Sequence, residues 1–328
     1  MHIPRSRITP ITRFFGLSCA LLLLACRAPT HAPDLALRVQ SSRQSIGAIS
    51  LRVVEVGQST APPCLVLHGG PGLDHAYLRV GLDPLARRGV RLVYVDLRGH
   101  GQSDAPPDAS GYTISAAAGD LESLLRAQSV DRPVDVIAHD FGAAIAMEFA
   151  RTHPERVRRM VLIAPIKDGA QLRAMSARTQ SALGRDGAQI IASLSTPQGT
   201  LRDARRLGEL IHALGPLWWA QTPTRASVDE LMRSVHYRAE ADQHFLLQLS
   251  QWDSLSVARE VRAETLVLSG AQDRTFLPAE SHAIADQLAH GRFALIERAG
   301  HLPMVEQRDL TNTAIAAFLQ RNVATPTR

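Results

Sequence analysis

The apolar positions of this chain come in short blocks separated by longer segments of helical periodicity. Ile49 to Val56, Cys64 to His68, Leu92 to Val95, Val134 to Ile137 and Met160 to Ala164 are β-branched or apolar runs of strand length. Runs that are apolar on successive residues describe strands covered on both faces, so the pattern predicts an α/β fold with a mostly parallel sheet between layers of helices. From Ile166 to about Val257 the alternation stops. That segment reads as helices rich in Arg, Gln and Leu, with Trp218, Trp219, His236, Tyr237, His244 and Trp252 among them. Strand-like and helical runs return at Thr265 to Ser269, Pro278 to Ala289, Arg292 to Glu297 and Leu310 to Leu319. A helical cap at 166–257, inserted into a core formed by 46–165 and 258–328, accounts for the interruption.

The first residues follow another rule. Arg5, Arg7 and Arg13 precede the apolar run Phe14 to Ala25, which is too short to span a bilayer comfortably and has the layout of an export signal covering residues 1–25. The run ends in LLAC at Cys26, which resembles the lipobox of bacterial lipoproteins. That resemblance implies a lipid on Cys26, an exported protein anchored to the cell envelope at the periplasm or outer membrane, and otherwise a secreted one. Residues 26–45, polar and proline-containing, then read as a tether to the folded body.

Composition changes this picture little. With 328 residues and 45% hydrophobic content the chain can bury a sizeable core. Removal of residues 1–25 takes away three arginines and no acid, lowering the formal net charge from +5 to +2, and no basic stripe interleaved with aromatics suggests a nucleic-acid partner. Cys64, alone in an apolar strand, reads as a core residue. The histidines are dispersed, with no C-x-x-C or H-E-x-x-H spacing, so neither metal nor cofactor is called for.

The chemistry gathers at strand ends. Val134 to Gly142 reads VDVIAHDFG and runs directly into the apolar helical segment AAIAMEFA. A buried strand, a tight turn between Ala138 and Gly142, and an immediate helix make the frame of a nucleophile elbow, usually G-x-S-x-G. Here Asp140 holds the central place. Consecutive glycines in HGGPG, His68 to Gly72, suit an oxyanion hole whose donors are the N–H groups of Gly70 and Phe141, the residue after the nucleophile. A strand ending at Asp273 and the later AGH ending at His301 supply an acid and a histidine in the order nucleophile, acid, His.

With these motifs, the loop VDLRGHGQSD from Val95 to Asp104, and HPERV from His153 to Val157, the chain resembles the α/β-hydrolase superfamily from about Ile46 to Gln320. An aspartate at the elbow favours attack on a saturated carbon, because attack on a carbonyl would give a reactive anhydride. Among members with an Asp nucleophile, haloalkane dehalogenases place Trp and haloacetate dehalogenases Arg after the nucleophile, where this chain has Phe141. Epoxide hydrolases carry H-G-x-P, commonly with a cis proline, and a late-cap Tyr-Arg, which Tyr237 and Arg238 match. Resemblance to them implies Asp140, Asp273 and His301 as catalytic residues, Tyr237 as the cap proton donor, and a small apolar epoxide as substrate. A second cap tyrosine is absent, so His212, His236 or His244 could serve. His68, Trp218, Trp219 and His236 are the expected substrate-binding residues. A small organohalide substrate, or an inactive hydrolase homologue that only binds ligand, are the alternatives. HGGPG is also the form found in proline iminopeptidases, which use serine at the elbow.

Overall fold

The computed structural model describes residues 37–58, 60–194 and 211–321. Eight strands, β1 (Val39–Ser45), β2 (Ser50–Val56), β3 (Pro63–Leu67), β4 (Arg91–Val95), β5 (Val134–His139), β6 (Val157–Ile163), β7 (Glu264–Gly270) and β8 (Gly291–Ile296), form one sheet. Their order is β1-β2-β4-β3-β5-β6-β7-β8; β1 with β2 and β2 with β4 are antiparallel, and every other pair is parallel.

Why the central strands show no alternation is visible in β3, where all five residues are buried. Leu65 and Leu67 face α2 (Ile114–Ala127) and α3 (Phe141–Thr152), joining Leu121, Leu125, Ile145 and Phe149 in one core. Cys64 and Val66 point the other way, into a second core with Leu78 and Leu82 of α1 (Ala76–Leu82) and Ile315 and Phe318 of α8 (Arg308–Leu319). Each fully buried Leu or Val contributes about 1.5–3 kcal/mol, so a central strand must be apolar on both faces. Between β6 and β7 lie α4 (Gly169–Leu194), α5 (Arg225–Met232) and α6 (Ala239–Ser250); α7 (Pro278–Gln287) then covers β7 and β8.

The expected tether needs correction at its end. The chain is already a strand from Val39, because β1 pairs with β2 across the register Val39 to Val56 through Ser45 to Ser50. That strand is a mostly exposed, polar edge, so backbone pairing holds it and no apolar period announces it. The leader and Cys26 lie outside the described residues. Among the described residues no helix is long and apolar enough to cross a membrane.

Candidate active site

Parallel strands deliver their following loops to one edge of a sheet, and four such loops meet here. After β5 the chain reverses into α3 through Asp140, whose φ of 51° and ψ of −117° put a non-glycine residue in a sparsely populated region. Gly142 makes the reversal possible, since a Cβ there would stand 2.5 Å from the His68 carbonyl oxygen and 2.8 Å from that of Leu67. Aspartate is a favoured helix N-cap, yet the Asp140 side chain makes no cap hydrogen bond to α3. Instead its Oδ2 accepts the Gly70 N–H at 3.1 Å. The carboxylate is thus aimed across the sheet edge, away from the structural task its position would assign.

Facing it is His301, fully buried, with Nε2 3.8 Å from Asp140 Oδ2. That separation permits ion pairing but is too long for a hydrogen bond, and Nε2 has no hydrogen-bond partner among the described residues. On the other side of the ring, Nδ1–H donates to Asp273 Oδ2 at 2.9 Å, while Asp273 Oδ1 accepts the N–H groups of Thr275 and Phe276 at 2.8 and 3.0 Å. Burial alone would push the imidazole down; the carboxylates of Asp273 and Asp140 outweigh it and hold His301 at about 10. The site thus favours the protonated form of this imidazole.

A buried relay fixes these loops relative to one another. Gly69 N–H donates to the Tyr77 hydroxyl at 2.7 Å, Tyr77 donates to His139 Nδ1 at 2.8 Å, and His139 Nε2–H donates to the His301 carbonyl at 3.0 Å. Burial pushes His139 down to about 3, which keeps it neutral and able to accept and donate at once. One imidazole thereby ties the oxyanion loop and the loop carrying His301 to the elbow strand.

The cavity before Asp140 and His301 has a volume of about 340 Å³, within the range of small-ligand sites. Leu73, Ile166, Leu172, Met175, Trp218 and Phe276 make it apolar, and no Arg or Lys is among the described residues that line it. Gly70 and Tyr237, both expected at the site from sequence, line it together with Pro71, and the Gly70–Pro71 bond is cis. Phe141 heads α3, so its N–H lacks an intrahelical partner by position and suits an oxyanion donor, while its ring packs in the core 4.9 Å from that of Phe245.

Three expected substrate contacts are placed elsewhere. His68 is fully buried, with Nδ1–H donating to the Gly69 carbonyl at 2.9 Å and Nε2 accepting the Leu97 N–H at 3.2 Å, so it braces the loop. Trp219 is buried in the core beside α1 and α8, whereas its neighbour Trp218 reaches the cavity, 5.3 Å from the His301 ring. Adjacent residues of the segment point to opposite sides, and sequence alone could not say which ring faces in. His236 does not reach the cavity. Its N–H and Nδ1 lie 2.8 and 3.1 Å from Asp74 Oδ2, and with Arg238, whose N–H donates to the Gly72 carbonyl at 2.8 Å, it fastens this cap segment to the loop after β3.

Of the proposed second donors, His244 stacks on Tyr112 at 4.9 Å, and neither it nor His212 lines the cavity. Asp242 does. It accepts the Tyr237 hydroxyl at 2.8 Å, and burial, reinforced by the Asp140 charge, pushes it up to about 6. Its place in the first turn of α6, just after Tyr237, was the available signal.

Residues 62–307 match the alpha/beta hydrolase fold family, and the chain belongs to that family. Its relatives divide. Epoxide hydrolase 2 of Siraitia grosvenorii is 36% identical over 124 residues, a match that spans only 38% of either chain. A proline iminopeptidase of Chitinophaga pinensis is 21% identical over 290 residues, covering 84% of this chain and 95% of that one. Among solved structures, a proline iminopeptidase-related protein of Thermus thermophilus superposes with a TM-score of 0.70 at 26% identity, over 86% of this chain and 97% of that chain.

Proposed function

We propose that this hydrolase opens a small apolar epoxide through a covalent ester of Asp140. The observation that carries the proposal is the buried Asp140 carboxylate at the elbow, turned off its own helix onto the Gly70 N–H with His301 Nε2 3.8 Å away. Asp140 attacks a ring carbon, the C–O bond breaks, and the oxygen takes a proton from Tyr237. Esterification removes the Asp140 charge that helped hold the His301 proton, so the imidazole loses it to solvent and becomes a base. His301 then takes a proton from water, the hydroxide adds to the ester carbonyl, and Gly70 and Phe141 N–H groups stabilise the oxyanion. Collapse expels the diol oxygen, which takes the proton from His301. The Asp140 carboxyl then ionises, and the two protons that it and His301 have released to solvent restore Tyr237 and the imidazolium.

The relatives fit this in different ways. An acyl transfer like that implied by the iminopeptidase names would make an anhydride at Asp140, whereas alkyl transfer makes an ordinary ester. A halide leaves without a proton, so a hydroxyl and a carboxyl paired at the wall of a mostly apolar cavity favour an epoxide oxygen. The sequence further supports export with a lipid on Cys26, a matter for the mature N-terminus to decide.

The test is a His301→Gln chain mixed with styrene oxide or with 1-bromobutane. The peptide containing Asp140 should gain the whole mass of the epoxide, since the base for the second step is missing. A gain only from the halide, equal to its mass less hydrogen bromide, would reassign the substrate class, and no gain from either would refute the ester.

A further inference from the structure

Tyr237 and Asp242 are built as a pair over the oxyanion loop. Tyr237 precedes α6 and Asp242 lies in its first turn, so the backbone brings the hydroxyl and carboxylate together at 2.8 Å. Gly72 is their seat: at its φ of 89° a Cβ would stand 2.6 Å from Tyr237 Cε2 and 2.9 Å from Asp242 Cβ. The Arg238 N–H to Gly72 carbonyl bond, 2.8 Å, holds the same contact from the backbone. Both side chains line the cavity that Asp140 and His301 close.

A hydroxyl has one hydrogen to give. While Asp242 is ionised it accepts that hydrogen, and Tyr237 has nothing to offer a substrate. We propose that Asp242 is a positioning residue that switches this donor: protonated, it donates to the Tyr237 oxygen and frees the tyrosine O–H for the leaving oxygen of the epoxide; ionised, it consumes that O–H. The inference rests on the epoxide reading above. During ring opening Tyr237 gives its proton to the leaving oxygen while the Asp242 proton moves to Tyr237, leaving Asp242 as a carboxylate. The proton shed as ester hydrolysis restores the Asp140 carboxylate balances this loss through solvent.

Among the described residues, the titratable groups that face Asp242 are Tyr237 on its own segment and Asp140 from the elbow, and α4 brings the uncharged Leu172, Met175, Ser176 and Thr179 to the cavity. Burial and the Asp140 charge both raise Asp242, to about 6, so the active form of the pair is present below that pH and is lost above it. The fold thus supplies a carboxyl beside Tyr237, where His212, His236 or His244 was the expected second donor.

Formation of the ester from styrene oxide, followed by rapid quench and intact mass in a His301→Gln chain, isolates the first step. Its rate should fall about tenfold for each pH unit above 6. Adding Asp242→Asn should flatten the profile, because the amide donates to the Tyr237 oxygen at every pH. Adding Tyr237→Phe instead should slow the step and also flatten it, since no O–H is left to control. An unchanged profile in the Asn variant, or a fall above pH 6 that persists in the Phe variant, would overturn the switch while leaving the ester intact. Absence of ester in every variant would overturn the epoxide reading and the switch together.

Discussion

Substituting Asp273→Asn should separate the two halves of the reaction. Asp273 Oδ1 accepts two backbone N–H groups, from Thr275 and Phe276, so the replacement amide must keep its oxygen there and turn its NH₂ toward His301. His301 Nδ1, now facing a donor, must accept, and the ring proton moves to Nε2, the atom that faces Asp140. An imidazole in that tautomer cannot take a proton from water. In the triad of serine proteases the same tautomer error lowers turnover by about 10⁴-fold, and a loss of about 10³–10⁴-fold is expected here in ester hydrolysis. The exchange also removes a charge-assisted hydrogen bond worth about 1.5–3 kcal/mol, or about one to two pKa units on His301. Ester formation needs neither effect and should stay within about tenfold of the parent. Single-turnover mass analysis with styrene oxide reads both rates. Hydrolysis at the parental rate, or equal losses in both steps, would refute the assigned orientation of His301.

Two further outcomes follow from the packing and charge of the site. Gly142→Ala drives a methyl into the backbone carbonyls of His68 and Leu67, which cannot swing aside, and should cost about 1–3 kcal/mol in urea unfolding; parental stability would mean the elbow is looser than described. His301, held at about 10 by Asp273 and Asp140 against an ordinary value of 6.5, contributes stability that is fully present below about 6.5 and is lost as pH rises through about 10. The Tm difference between parent and His301→Gln should therefore shrink between about pH 7 and pH 10, and a constant difference would place the proton elsewhere.

The sequence made the strand-turn-helix at Asp140 legible because three independent requirements coincide there: burial of β5, a small residue at Gly142 and an immediate helix. Asp273 and His301 were legible by position, since loops after parallel strands share one edge of the sheet. Asp242 escaped notice because an acid in the first turn of a helix ordinarily complements the helix dipole, and α6 carries Glu240 there as well. His68 and His236 were misplaced for a related reason. Each sits in a motif beside the chemistry, but the backbone N–H of Leu97 and the carboxylate of Asp74 claim their rings. β1 was hidden by its polarity, being held by pairing with β2 instead of by burial.

The central claim is that Asp140 itself bonds to carbon, and oxygen isotopes test it most directly. In ¹⁸O-water, a single turnover of excess enzyme on styrene oxide should place the label in the peptide containing Asp140, because water attacks the carboxyl carbon and the oxygen delivered to the diol comes from the protein. Label found in the diol alone after that first turnover, with none in the peptide, would mean that water attacks the substrate directly and that Asp140 forms no ester.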